Sequence, residues 1–394
     1  MKSATPSMAA ALALLLAACG SSTDVRSDPD SGTIAGNGDS GQDPPRDPGL
    51  SLDAGIALEA TLTHTEIQFD LLAVDPAGTA YGLNLAGSDT ELWATQDGRE
   101  WARRGSTQGS SFRIMTAFSD GTLLADVSTA AGHALARSTD RGATWTTVLG
   151  TGVYRTVTPH SFAEIDGAAY YLEYQVFTNA STPINLWRST DSGATWSVRH
   201  TFDGHRHGHG LAPDPARHAL WAYFGDTTAQ SGAYRSTDGG ATWTAVLTGT
   251  QDGDIVDAVV LADGSLLCGQ DISFLPPQPS IARIGIDGSI TRYLTLPSAS
   301  YSTHAVRSGG YVVGATYERG ADVTPDGWTR GTLWGSGDGE HWGKLLEVPQ
   351  LDPADVRTDV YWELPSGELV VNVRNALGFG PGGVGYLLLR TNRR

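Results

Sequence analysis

The chain has 394 residues, and its 43 Asp and Glu against 26 Lys and Arg give a formal charge of −17, which argues against a nucleic-acid partner. Its length and 40 % hydrophobic content allow a sizeable core. Cys19 and Cys268 are its two cysteines, and no intramolecular disulfide is expected in the mature domain.

Residues 1–18 place Lys2 before an apolar Ala/Leu segment that is too short to span a bilayer as a stable helix and has the layout of a secretory signal. The segment ends in Leu16-Ala17-Ala18-Cys19, which resembles a bacterial lipobox. That resemblance implies that Cys19 is the lipidated first residue of the mature chain. The other reading is an ordinary signal with an incidental Cys. Gly20 in place of Asp is similar to lipoproteins sent on to the outer membrane, so the expected location is the bacterial cell envelope, attached through the lipid on Cys19 only. Residues 19–49 are Ser, Asp, Gly and Pro with almost nothing apolar, and read as a flexible acidic tether.

Residues 50–394 read as one domain built of repeats. The run Arg-Ser-Thr-Asp-x-Gly-Ala-Thr-Trp occurs at residues 137–145, 188–196 and 235–243. The Asp can accept backbone N–H bonds within a turn, the Gly can take φ > 0, and the Trp can bury its indole between sheets. Looser copies surround Asp97 and Asp338, and Ile286-Asp287-Gly288 keeps only the turn. The markers Asp97, Asp140, Asp191, Asp238, Asp287 and Asp338 recur at roughly 43–51 residues, the period of a four-stranded propeller blade.

Before each marker, two apolar β-branched stretches flank a tight turn such as Asp120-Gly121, Asp166-Gly167, Asp263-Gly264, Gly309-Gly310 or Ser366-Gly367. One unit is therefore strand, turn, strand, longer loop, strand, Asp turn, strand. The expected fold is all-β, a seven-bladed β-propeller of four-stranded antiparallel blades. The seventh blade runs out of chain before its outermost strand, and the apolar stretch beginning at Ile56 is expected to complete it and close the ring. Cys268, in Leu-Leu-Cys-Gly, reads as a small buried hydrophobe.

These repeats resemble the Asp-box (BNR-repeat) propellers, a superfamily that includes the sialidases and many non-catalytic surface and secreted proteins. Phe112-Arg113-Ile114-Met115 is similar to the sialidase Phe/Tyr-Arg-Ile-Pro segment, whose Arg clamps a substrate carboxylate, although Met115 stands where that family has Pro. Tyr301-Ser302 with Tyr317-Glu318-Arg319-Gly320 is similar to the segment carrying the nucleophilic Tyr. The resemblance implies catalytic roles for Arg113, Tyr301 and Glu318, with Glu173 as the other candidate activator. The second and third substrate-binding Arg and the acid Asp have no recognisable counterpart.

Aligning the units puts Asp70, His160, His209, Asp257, His304 and Asp359 at corresponding places on the innermost strands, with Ile114, Met115 or Thr116 in blade two. Strand alternation adds His207, and His205, to the face of His209. His207, His209, His160 and His304 form a candidate set for a divalent metal in the central channel. The alternative is a polar ring that hydrates the channel. A second polar set at the far ends of the second strands, including Glu173 and Asp226, suggests an acidic bowl around one Arg, Arg374. The insertions at residues 175–185 and 274–280 are further candidates for ligand contact. The preferred reading is a monomeric, surface-anchored module that binds an extracellular glycan or protein at its axial face through Asp70, His160, His207, His209, Asp257, His304, Asp359, Glu173 and Asp226. A glycoside hydrolase using Arg113, Tyr301 and a Glu is the alternative.

Overall fold

A computed structural model describes residues 58–272, 274–316, 330–352 and 355–393. The signal, Cys19, the tether and Tyr317-Glu318-Arg319-Gly320 lie outside the described residues. The strands form seven four-stranded antiparallel sheets in a seven-bladed β-propeller. The innermost strands are Phe69–Val74, Ser111–Ala117, Phe162–Ile165, His207–Asp214, Ile255–Val260, Ser300–Ala305 and Arg357–Glu363, in blades one to seven. Each is followed by a second, a third and an outermost strand. In blade seven the outermost strand is Leu58–Glu66, which pairs with Gly385–Arg393. The ring is thus closed by the expected N-terminal strand, with no free edge between first and last blades.

The core sits between blades. Seven apolar clusters, one at each junction of adjacent blades, run around the ring. Trp221 is fully buried at the junction of blades four and five. Removing so large an aromatic from water is worth about 4–6 kcal/mol before the entropic cost. Cys268 belongs to the same cluster, and burial pushes its thiol up, as expected of a packed hydrophobe.

The three strict turns share one set of bonds. In blade two, Asp140 Oδ1 accepts the Thr144 N–H at 2.9 Å, its Oδ2 accepts the Thr144 hydroxyl at 2.6 Å, and Ser138 Oγ accepts the Gly142 N–H at 2.8 Å. Blades three and four repeat this with Asp191 and Asp238. Gly142 is required twice over, because its φ is +82° and a Cβ there would lie 2.5 Å from Leu92 of the preceding blade. The repeat Trp side chains are half-buried wedges rather than full core residues. Trp145 donates its indole N–H to Gly142 O at 3.1 Å, which holds the ring at the rim of the blade junction.

Candidate functional site

Antiparallel order brings the start of every innermost strand beside the end of its second strand, so the connections between blades and the loops after the second strands share one end of the axis. The tight turns and the Asp turns share the other. Five of the six expected ring residues lie on innermost strands that carry a recurrent irregularity near the first end, whereas His160 lies in the short turn Pro159–Ser161 before the blade-three strand, which pairs without a slip. In six blades the innermost strand slips register against its neighbour, past Leu72, Arg113, His209, Val256 with Asp257, Tyr301 and Tyr361. Such bulges add a residue and re-aim its side chain.

The bulges break the expected ring. Counted from them, Asp70 and Asp359 lie two residues before, His209 lies at the bulge and His304 three after, so the predicted set occupies different heights. The proposed four-imidazole metal set is therefore not assembled. Among the described residues, His207 and His209 meet Asp226, whereas His160 pairs with Asp257 and stands near His304. His160 Nδ1 lies 2.5 Å from Asp257 Oδ1, and Asp257 Oδ2 accepts the Thr303 N–H at 2.8 Å. Burial opposes protonation of His160, but the Asp257 carboxylate outweighs it and lifts the imidazole above its ordinary value. His304 goes the other way, to about 4, because it is buried beside His160 and Arg307. Burial likewise raises the Asp359 carboxyl, despite Arg357 and Arg374 nearby. Asp70 is paired with Arg374 at 2.7 Å.

The segment His207-Gly208-His209-Gly210 explains the upper cluster. On one side its glycines lie against neighbouring chain: a Cβ on Gly208 would meet Leu172 at 2.4 Å, and one on Gly210 would meet Tyr223 at 2.7 Å. On the other side, His207 Nε2 lies 3.0 Å from His209 Nε2 and 2.9 Å from Asp226 Oδ1, with His209 Nε2 to Asp226 Oδ1 at 3.3 Å. His205 does not join them, contrary to simple alternation. Its ring stacks on Phe224 at 4.2 Å and bonds Gln230 O and the Tyr234 hydroxyl, inside blade four.

Surrounding groups fix the cluster. His207 Nδ1 donates to Gln175 O at 2.7 Å and His209 Nδ1 to Ile255 O at 3.0 Å. Arg206 engages the second Asp226 oxygen, and the Tyr174 ring stacks on His207 at 4.3 Å. Burial pushes the His207 imidazole below its usual range. Burial also opposes ionisation of Asp226, but its bonds to His207 and His209 outweigh that and hold its carboxyl well below the usual range. Asp254 Oδ1 is 3.4 Å from His209 Nδ1, and Asp254 and Asp271 form a second group on the same imidazole.

The sialidase-like candidates are engaged by separate neighbours. Arg113 Nε lies 3.5 Å from Asp126, in blade two. The Tyr301 ring lies under the Arg357 guanidinium at 4.5 Å, at the junction of blades six and seven. Glu173 is buried and accepts from the Trp187 indole at 2.7 Å and the Asn185 N–H at 2.9 Å, so it fastens blade three. The bowl holds more than the one expected Arg. Arg113, Arg155, Arg206, Arg357 and Arg374 all lie at this end, and the charges of Arg155 and Arg374 help to depress Arg113, after burial. Sequence reasoning missed Arg155, Arg206, Arg357 and Tyr361. The one available signal was adjacency, since Arg206 stands between His205 and His207.

Among the described residues nine large apolar side chains are exposed, and seven of them occupy loops at this same end: Val153, Val176, Phe177, Phe274, Leu275, Leu351 and Leu377. Four of these lie in the two insertions singled out by sequence. At the turn end, a cleft of about 220 Å³ is lined by Tyr170, Arg188 and His218 between blades three and four. An equivalent cleft of about 210 Å³ lies between blades one and two, so it is a by-product of blade stacking.

No family model and no curated protein matches the chain. Among solved structures it is similar to a chain of the Mitotic Checkpoint Complex, at a TM-score of 0.54 and 11 % identity, covering 93 % of this chain and 99 % of that one. It is similar to YCF48 bound to D1 peptide, with TM-score 0.50 and 15 % identity over 84 % of this chain and 96 % of that one. A protein of unknown function from Dyadobacter fermentans gives 0.50 and 12 % over 86 % and 100 %. At such identities the likeness shows the β-propeller fold alone.

Proposed function

We propose that the chain is a binding propeller that takes a carboxylate-bearing peptide segment of a protein partner at the loop end of its axis. The observation that carries this reading is the concentration there of seven of the nine large apolar side chains exposed among the described residues, beside a channel mouth where Arg113, Arg155, Arg206, Arg357 and Arg374 gather. Apolar side chains on loops supply desolvated contact, and a planar guanidinium recognises a carboxylate through paired hydrogen bonds. Arg155 is positioned for this role, standing over Tyr174 at 5.6 Å with no protein partner for its Nε. YCF48, of similar fold, is bound to D1 peptide, which supports a peptide as the ligand class. The turn bonds support an Asp-box propeller whose repeats are structural, and the lipobox supports display of the binding face outside the cytoplasm, anchored on Cys19.

Peptides selected from a random dodecamer library should bind the wild-type chain and lose at least tenfold in affinity to the Phe177→Asp, Phe274→Asp double variant. Ile286→Asp, at the turn end, should leave affinity unchanged. Equal binding by all three proteins would remove the basis for the assignment, and recognition of a glycan array with no peptide selected would move the ligand class to carbohydrate. Metabolic palmitate labelling that persists in Cys19→Ser would overturn the anchor.

A further inference from the structure

The His207, His209 and Asp226 constellation is a cation site by its hydrogen-bond logic, independent of what the loops bind. Both Nδ1 atoms face carbonyl oxygens, at 2.7 and 3.0 Å, and a carbonyl can only accept. Each imidazole therefore keeps a proton on Nδ1, and in its neutral form turns an Nε2 lone pair inward. Those two lone pairs stand 3.0 Å apart, with a carboxylate oxygen 2.9 Å from one and 3.3 Å from the other. Three electron-rich atoms facing one another in a buried place repel unless a positive charge lies among them.

We propose that His207 Nε2, His209 Nε2 and Asp226 Oδ1 are three ligands of a divalent transition-metal ion, zinc foremost, with a remaining position open toward the channel mouth. Bonds of about 2.0–2.1 Å meeting at tetrahedral to right angles set donor atoms roughly 2.9–3.4 Å apart, and the three separations fall in that span. Two imidazoles with one carboxylate favour zinc and its neighbours over calcium or magnesium, which take oxygen ligands. The supporting contacts are those a metal centre uses: each imidazole held through its other nitrogen by a backbone carbonyl, and the carboxylate held at its second oxygen by Arg206. The carbonyls come from blades three and five, so the site ties three blades together. Both imidazoles are 2 % exposed while Asp226 is 27 % exposed, which puts the open position on the Asp226 side. A water or a carboxylate of a bound ligand fits it.

The test uses the full chain purified without a polyhistidine tag, stripped with chelator and titrated with ZnCl₂ by calorimetry. One equivalent should bind, with at least a hundredfold weaker affinity in His209→Ala and Asp226→Asn and no change in His218→Ala, an exposed imidazole at the turn end. CoCl₂ added to the wild-type chain should give visible d–d absorption that zinc displaces, a reading that does not depend on how the variants fold. The proposal is overturned if the wild-type chain takes up neither metal, if His209→Ala binds as tightly as wild type, or if calcium binds equally well. Metal binding and peptide binding are read separately, so failure of one leaves the other standing.

Discussion

The two ends of this propeller are built from the same strands and do different work. At the turn end the chain repeats itself: the same Ser, Asp, Gly and Trp recur, the Asp carboxylates bond within their own turns, and Arg104 and Arg199 of preceding blades cap the next turn at its carbonyls. At the loop end little repeats. Bulges re-aim Arg113, His209, Tyr301 and Tyr361, loops differ in length, and charged groups are gathered across blades. Repetition marks what holds the ring together, and departure from repetition marks where chemistry has been placed.

The comparison breaks most visibly at Glu173, which sits at the loop end but belongs in kind to the scaffold. Glu173→Ala leaves the Trp187 and Asn185 donors unpaired and should cost about 2–4 kcal/mol by denaturant unfolding. A stable variant with lost ligand binding would return Glu173 to the site.

The next effect is an acid one, read at the Asp turns. Hydrogen bonds from the Thr144 and Thr195 side chains, with backbone N–H groups, hold Asp140 and Asp191 at about 2, against about 3.9 for an unfolded Asp. A depressed folded value means the stabilisation is complete above about pH 4 and is lost as pH falls toward about 2. Melting temperature against pH should therefore drop through that window, and the drop should shrink in the Asp140→Asn, Asp191→Asn variant. Smaller again, Asp191→Ala alone should cost about 1–2 kcal/mol, like the loss of a helix cap. Smallest, Phe177→Ala and Leu377→Ala should stay within about 0.5 kcal/mol of wild type, as exposed positions do. A large loss there would mean that these side chains serve the fold instead of a ligand.

The fold was legible because its signals are local. The Asp turns, the preceding tight turns and the apolar stretch that closes blade seven are each read within one unit of sequence. The site was legible only in fragments. His207, His209 and Asp226 were each singled out, but in two different sets, because the pairing of a strand start with a loop from the next strand depends on register. Period-two alternation placed His205 with them, and aligning the units put Asp70, His209 and His304 at one height. In six of the seven innermost strands a bulge shifts that count, and sequence carries no mark of a bulge. Arg155 and Arg357 were invisible for the same reason, since nothing local says that blades three and seven meet across the channel, as the His160 and Tyr361 rings do at 5.6 Å.

Hydrogen–deuterium exchange with and without a saturating selected peptide tests the division between the two ends most directly. Protection should appear at residues 174–177, 205–209 and 274–275 and be absent at the Asp turns of residues 140–144 and 191–195. Protection confined to those turns would contradict it.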